Sequence, residues 1–234
     1  KGHGLELNNA NFHLNADIIT IGIRGYDYSN IHTNGELANG YFEGELEAKD
    51  PNLTFDGQIK IDVRNNVDKI NITACLDTLR LQPLGFSNQN IFMSSHINID
   101  MKGFNIDSLK GFANLQGFKF QIDEKKIELD SIKFLSFLVA GHRVITLDTD
   151  GLTAEVKGDF KNSTVLSEIK RLNTELELLA QNNRDSLESY YDNLIPKDEN
   201  FELDIKVNLW DANRFVQPFF SQISLSKNII LEGK

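Results

Sequence analysis

The residues that could do chemistry are scattered. The five histidines stand at His3, His13, His32, His96 and His142. None forms an i, i+4 pair, and none is close in sequence to Cys75, so the spacing gives no metal site. Asp148-x-Asp150-Gly151 has the opening of a calcium loop without its later ligands, and a hairpin turn explains Asp-Gly equally well. Asp123-Glu124 reads as a solvated turn. Asn52-Leu53-Thr54, Asn71-Ile72-Thr73 and Asn162-Ser163-Thr164 match glycosylation sequons, which an Asn- and Thr-rich chain produces by chance. No serine sits in a G-x-S-x-G elbow, and no glycine-rich loop precedes a helix. No catalytic residue, metal ligand or cofactor is therefore expected, and an enzyme is the least supported class.

Composition narrows the partners. The chain has 234 residues and a net charge of −10. That balance argues against nucleic acid, which needs a basic footprint, and against simple adsorption to anionic membranes. The single cysteine, Cys75, rules out a disulfide scaffold and is expected on the polar side of its strand, beside Thr73 and Asp77. The longest greasy run, Ile132 to Gly141, is broken by Lys133 and two serines. It is too short to span a bilayer as a helix and predicts a buried strand. No signal peptide opens the chain, and both ends read as mid-pattern, so a segment of a longer protein is expected.

What positions these residues is a two-residue period running almost end to end. Apolar residues alternate at Phe12/Leu14, Ile19/Ile21/Ile23, Leu46/Ala48, Leu53/Phe55 and Ile59/Ile61/Val63. Ile70/Ile72/Ala74/Leu76, Ile97/Ile99/Met101 and Leu109/Gly111/Ala113/Leu115 continue it, followed by Phe118/Phe120/Ile122 and Ile127/Leu129. Alternation puts one strand face against something apolar and the other in water. Asn34-Gly35 predicts a hairpin turn before Leu37. Val144 to Leu147 is expected to meet Leu152 to Val156 across Asp148–Gly151. The short turns predict antiparallel neighbours.

The period then changes. Val165, Ile169, Leu172, Leu176 and Leu179 have helical spacing, with Ser163 and Thr164 as candidate N-caps. Asn182-Asn183 weakens the helix, and Leu187, Tyr190, Tyr191 and Leu194 resume it until Pro196. Strand alternation returns at Phe201, Leu203, Ile205, Val207 and Leu209, followed by a short helical turn over 211–220. The expected organisation is a β segment at 1–162, a helical insert at 163–196 and a β continuation at 197–234. The insert's leucine stripe is expected to lie on the sheet, and Trp210 with Phe215, Phe219 and Phe220 to fill a core corner.

Four stretches carry a family resemblance. They are GYDYSNIHTNGELANGYFEGELEAKDPNLTFDGQIKIDV from Gly25 to Val63, INITACLDTLRLQPLGFS, HINIDMKGFNIDSLKGFANLQGFKF with Gly103, Asn105, Asp107, Leu109 and Gly111, and ANRFVQPFFSQISLSKNIILEGK from Ala212. In this order they resemble the middle of TamB-type translocation and assembly module proteins, in their Bacteroidota form. That family is similar to AsmA-like and bridge-like lipid-transfer proteins. The resemblance implies a mostly β fold, a long antiparallel sheet curled into a U-shaped apolar trough, with the helical stretch as an insert. It implies a periplasmic location, within a longer protein anchored in the inner membrane, and conduction of phospholipids between the two membranes. It also implies a BamA- or TamA-like outer-membrane barrel as partner of other parts of the full chain.

The chemistry of such a trough is passive. At about 0.8 kcal/mol per CH₂, exposing one sixteen-carbon chain to water costs on the order of 12 kcal/mol, and a continuous apolar wall removes that cost along the route. The expected lining is Ile59, Ile61, Val63, Ile70, Ile72, Leu76, Ile97, Ile99, Phe118, Phe120, Ile122, Leu203, Ile205 and Val207, in contact with acyl chains. Glu43, Glu45, Glu47, Lys60, Asp62, Asn71 and Thr73 form the polar outer face. Alternation alone favours a closed sandwich core, and the resemblance reverses that order. Two other functions stay open. The sheet edge could hold outer-membrane protein strands by strand addition, or the segment could be a structural spacer.

Overall fold

The computed structural model describes residues 11–64, 68–180, 184–192, 203–218, 224–225 and 228–233. Twelve strands form one antiparallel sheet that does not close, and their order in space is their order in sequence. The first ten are β1 (Asn11–Ile23), β2 (Tyr26–Ala38), β3 (Tyr41–Asp50), β4 (Leu53–Asp62), β5 (Lys69–Arg80), β6 (Ile91–Lys102), β7 (Lys110–Ile122), β8 (Lys125–Val139), β9 (His142–Thr149) and β10 (Leu152–Gly158). Helices α1 (Asn162–Ala180) and α2 (Arg184–Asp192) follow, then β11 (Leu203–Leu209), α3 (Ala212–Val216) and β12 (Ile229–Gly233). Since β10 pairs directly with β11, the two helices are an excursion from one hairpin.

The connections explain the meander. Tight turns occur at Arg24-Gly25, Asn39-Gly40 and Ala140-Gly141, where both residues have positive φ, the backbone that matches strand twist. Asn34-Gly35 is not the predicted turn. It lies inside β2, where Gly35 faces Gly44 of β3. A Cβ on Gly44 would sit 2.8 Å from the Gly35 Cα. Glycine serves close approach there, and the turn comes five residues later.

Cross-strand register places the apolar residues in unbroken rows. One row runs Phe12, Leu37, Phe42, Ile61, Ile70 and Met101 through β1 to β6. It continues through Gly111, Ser136, Ile145, Val156 and Ile205. A second joins Ile59, Ile72, Ile99, Ala113, Phe134, Leu147, Ala154 and Val207. The opposite face carries rows such as Glu43, Lys60, Asn71 and Asp100. Strand alternation therefore builds one two-sided wall from β1 to β11.

The rows stay in phase despite irregularities at one level of the sheet. Register shifts occur between Thr54 and Phe55, between Leu76 and Leu79, and between Ser94 and His96. In β7 the adjustment falls at Gly117, φ 59. It carries the apolar positions from odd (Ala113, Leu115) to even (Phe118, Phe120, Ile122). The sequence reads these as two short strands, and the structure joins them through a bulge. Bulges bend a strand and increase its twist.

The core is thin. Most apolar residues of the wall are only half-buried, and among the described residues only the Leu84 and Ser136 side chains fall below 2% exposure. The chain exposes 15528 Å², against about 10,700 Å² for a compact globular monomer of 26.5 kDa. A two-layer core would bury these positions.

The predicted buried strand at Ile132–Gly141 needs correction. It forms most of the C-terminal half of β8, but Leu135, Phe137, Leu138 and Val139 are exposed. Ile19, Ile21 and Ile23 of the edge strand β1 are exposed as well.

A buried carboxylate secures the β3–β4 turn. Asp50 is 2% exposed and accepts hydrogen bonds from Tyr26 Oη (2.6 Å), Asn52 N (2.8 Å), and Ser29 N and Oγ (both 3.0 Å). Burial pushes its carboxyl up, and these donors together outweigh burial and hold it below the usual aspartate range. A depressed carboxyl stabilises the fold above the unfolded value of about 4 and loses that contribution as pH falls through the folded value. Asp50→Ala is expected to cost about 2–3 kcal/mol at neutral pH, because four donors lose a charged acceptor. Urea unfolding midpoints should show this gap narrowing as pH drops below about 4.

Candidate functional site: the apolar face

The apolar face is assembled from strand centres. Ile59, Ile61, Ile70, Ile72, Leu76, Ile97 and Ile99 lie together on it across β4, β5 and β6. Phe120 and Ile122 pair with Met93 and Ile91, and Phe118 stands opposite the buried Leu129. Ile205 and Val207 meet Val156 and Ala154, and Leu203 pairs with Gly158 at the end of β11. Val63 departs from this set. It follows the end of β4, where its N–H bonds the Gly40 carbonyl. The face also holds Phe42, Leu115, Phe134, Leu147 and Val156, which the register adds.

Two connections reach beyond their own strands. In the β5–β6 connection Leu84 is 1% exposed. The neighbouring Phe86 ring lies 5.2 Å from the Arg24 guanidinium of the β1–β2 turn, and a Cβ on Gly85 would be 3.6 Å from the Arg24 carbonyl. At the other strand ends, the β6–β7 connection forms a 3-10 turn, Ile106–Ser108. Ser136 Oγ donates to Leu109 O (2.9 Å), and the buried Arg143 donates to Leu109 O (3.2 Å) and Asp107 O (2.6 Å). The same turn receives α1. Asn162 Nδ2 donates to Ile106 O (2.6 Å), and Ser163 N and Oγ donate to the Asp107 carboxylate (2.7 and 2.9 Å). Asp107, whose carboxyl these bonds hold below the usual range, acts as the helix cap. Sequence proximity offered only Ser163 and Thr164; the cap comes from the far side of four strands.

The stripe residues Ile169, Leu172, Leu176 and Leu179 fall in α1 and Leu187 in α2, as the helical spacing predicts, with their side chains outside what the structure describes; Leu194, Phe201, Phe219 and Phe220 lie outside the described residues. Trp210 is exposed, while the Phe215 ring stands 2.9 Å from where a Gly151 Cβ would be.

The polar face holds the ionisable groups. Lys60 pairs with Glu43 at 2.5 Å, and this hydrogen bond lowers the Glu43 carboxyl. Arg64 holds Asp62 down to about 2 through a bidentate contact. Cys75 is on this face as expected, opposite His96, a neighbour that sequence distance concealed. Its thiol donates to Asp77 at 3.2 Å, and that bond raises its pKa, the reverse of an activated nucleophile. Among the described residues no group of three or more His, Cys, Asp or Glu is placed to hold a metal. Asp148 and Asp150 do not converge. Asp148 faces Lys133 and Thr153 across the strands, and Asp150 pairs with Arg214 of α3. Thr149 Oγ1 accepts from Gly151 N and Leu152 N, which makes the segment a hairpin turn.

Two shallow clefts lie on the polar side. One of about 620 Å³ is lined by Lys133, Asp148, Glu155, Lys206 and Ile230, and one of about 410 Å³ by Asp56, Cys75, His96, Asn98 and Gln116. Cleft volume does not measure an open apolar face. Its measure is continuity: half-buried aliphatic side chains in every described strand. No helix among the described residues is long and apolar enough to cross a membrane. Comparison with protein-family models, curated proteins and solved structures finds no match.

Proposed function

We propose that this chain is a segment of a periplasmic, TamB-like bridge that conducts phospholipids along its apolar face without catalysis. The observation that carries this reading is the half-buried apolar wall, continuous in register from β1 to β11 and with no second sheet on it among the described residues. An acyl chain laid along it would regain most of the ~0.8 kcal/mol per CH₂ that water would cost. Half-buried, similar side chains give many weak, equivalent sites, which suits movement better than tight capture.

Three observations support a wall curled around its apolar side. An ideal Cβ on Gly57 would lie 2.3 Å from the Ala74 Cβ, whereas opposed Cβ atoms in an ordinary sheet stand ~4.5–5.5 Å apart. The bulges align across β4 to β7. The β5–β6 connection reaches the β1–β2 turn although two strands lie between. In this reading Ile59, Ile72, Ile99 and their row-mates touch acyl chains, and barrel partners belong to other parts of the longer protein.

The test is native mass spectrometry of the purified chain, with solvent extraction of what it carries. Co-purifying phospholipid is expected, and a lipid-free protein that takes up none from detergent–lipid mixtures would refute conduction. A second reading has one observation in its favour. β1 is a thirteen-residue edge strand with Ile19 83% exposed, a template for strand addition. Crosslinks from β1 to barrel strands, with none from Ile72 to lipid, would favour that assembly role.

A further inference from the structure

The sequence holds two Asn-Gly pairs, Asn34-Gly35 and Asn39-Gly40. Glycine has no Cβ to shield its nitrogen, so that nitrogen can attack the side-chain amide carbon of the asparagine before it. The attack needs a rotation about the asparagine Cα–C bond. The fold sets the two pairs in opposite circumstances.

Asn34-Gly35 is locked. It lies mid-strand in β2, which is bonded to β1 on one side and to β3 on the other. Gly35 is buried and stands in register between Leu14 and Gly44. Rotation there would break pairing to two neighbours at once. Asn162-Ser163, where another small residue follows an asparagine, is also shut, because Ser163 N donates to the Asp107 carboxylate at 2.7 Å.

Asn39-Gly40 is open. It forms the two-residue turn between β2 and β3, closed by the Ala38–Tyr41 pair, with φ 52 and 85. Asn39 is exposed. Its side-chain amide and the Gly40 N–H form no hydrogen bond among the described residues. The Gly40 carbonyl accepts from Val63 N at 2.9 Å, which leaves the Gly40 nitrogen free. Rotation here is confined to the turn, and such local opening costs far less than opening a paired strand.

We propose that Asn39 is a site of spontaneous deamidation in the folded protein. The Gly40 nitrogen gives its proton to solvent base and bonds to Asn39 Cγ. The side-chain nitrogen leaves as ammonia, taking a proton from water. Water then opens the succinimide ring, at one carbonyl to aspartate and at the other to isoaspartate. The net change is water in, ammonia out and one more negative charge. Isoaspartate also adds a methylene to the backbone of a two-residue turn, and that turn sets the register placing Leu37 opposite Phe42. The site is an ageing mark on the β2–β3 hairpin, and it does not depend on the conduction reading.

The experiment is incubation of the folded chain at mildly alkaline pH. Peptide mass spectrometry, with fragmentation between Asn34 and Asn39, reads amide-to-acid conversion, and a protein isoaspartyl methyltransferase reads isoaspartate. Asn39 is expected to react at least about tenfold faster than Asn34, since a decade needs a difference in opening of only about 1.4 kcal/mol. In urea the two should react alike, because only the fold separates them. Asn39→Gln, a change at an exposed turn, should remove the isoaspartate, because the longer side chain would have to close a larger ring. No conversion at Asn39, equal rates at the two sites in the folded chain, the same selectivity in urea, or isoaspartate that persists in Asn39→Gln would overturn the proposal.

Discussion

Ile72→Asp should strip phospholipid from the purified protein, lowering the extracted lipid at least about tenfold. Ile72 lies mid-row between Ile59 and Ile99 on the apolar face. A carboxylate there would have to lose its hydration whenever an acyl chain passed. Burying an unpaired charge costs several kcal/mol, and one decade of affinity needs only about 1.4. The empty protein should tolerate the change, because the position is half-buried with water available to the new carboxylate. Asn71→Asp, one residue away on the polar face, is the control and should carry wild-type lipid. A photo-reactive residue at position 72 gives the same answer in cells. An Ile72→Asp protein as lipid-rich as the wild type would end the conduction proposal.

The largest stability loss is expected at Gly111. Its φ is 134, and an added Cβ would fall 2.0 Å from the Asp100 carbonyl oxygen and 2.9 Å from the Met101 Cα. Both obstacles are backbone, so neither can turn aside. Gly111→Val should cost about 3 kcal/mol or more, a drop in Tm of roughly 6–12 °C for a chain of this size. Gly25→Ala is the matching control. Its φ is 81, but nothing lies within 4 Å of the added methyl, so only backbone strain of about 1–2 kcal/mol remains. Thermal unfolding followed by circular dichroism distinguishes the two. Equal losses would mean that φ alone sets the cost.

Much of the sheet was legible because a two-residue period survives in single sequence. Ile59/Ile61, Ile70/Ile72 and Ile97/Ile99 fall in one register, and a slip of one residue would turn each set to the polar side. The failures share a cause, which is contact between residues distant in the chain. Asn34-Gly35 carries a strong local turn signal, but the close approach of Gly44 decides its role. Ile132–Gly141 looks buried by composition, yet no second layer covers its outer side. The phase change at Gly117 needs the register of β6 to be seen. Asp107 caps a helix through Ser163, 56 positions later, and no window of sequence connects them. For the apolar face, the residue set could be read from alternation, while the half-burial of its side chains in a single described sheet could not.

The strand order has a consequence for how the molecule comes into being. Each strand hydrogen-bonds the strands before and after it in the chain, so growth requires no search for a remote partner. Topologies dominated by local pairings fold quickly. A polypeptide emerging from its N-terminus can thus zip up one hairpin at a time, each new edge templating the next arrival. The helical excursion after β10 is the longest interruption between described strands, and the waiting edge of β10 is where a stalled or truncated chain would be most exposed to mispairing.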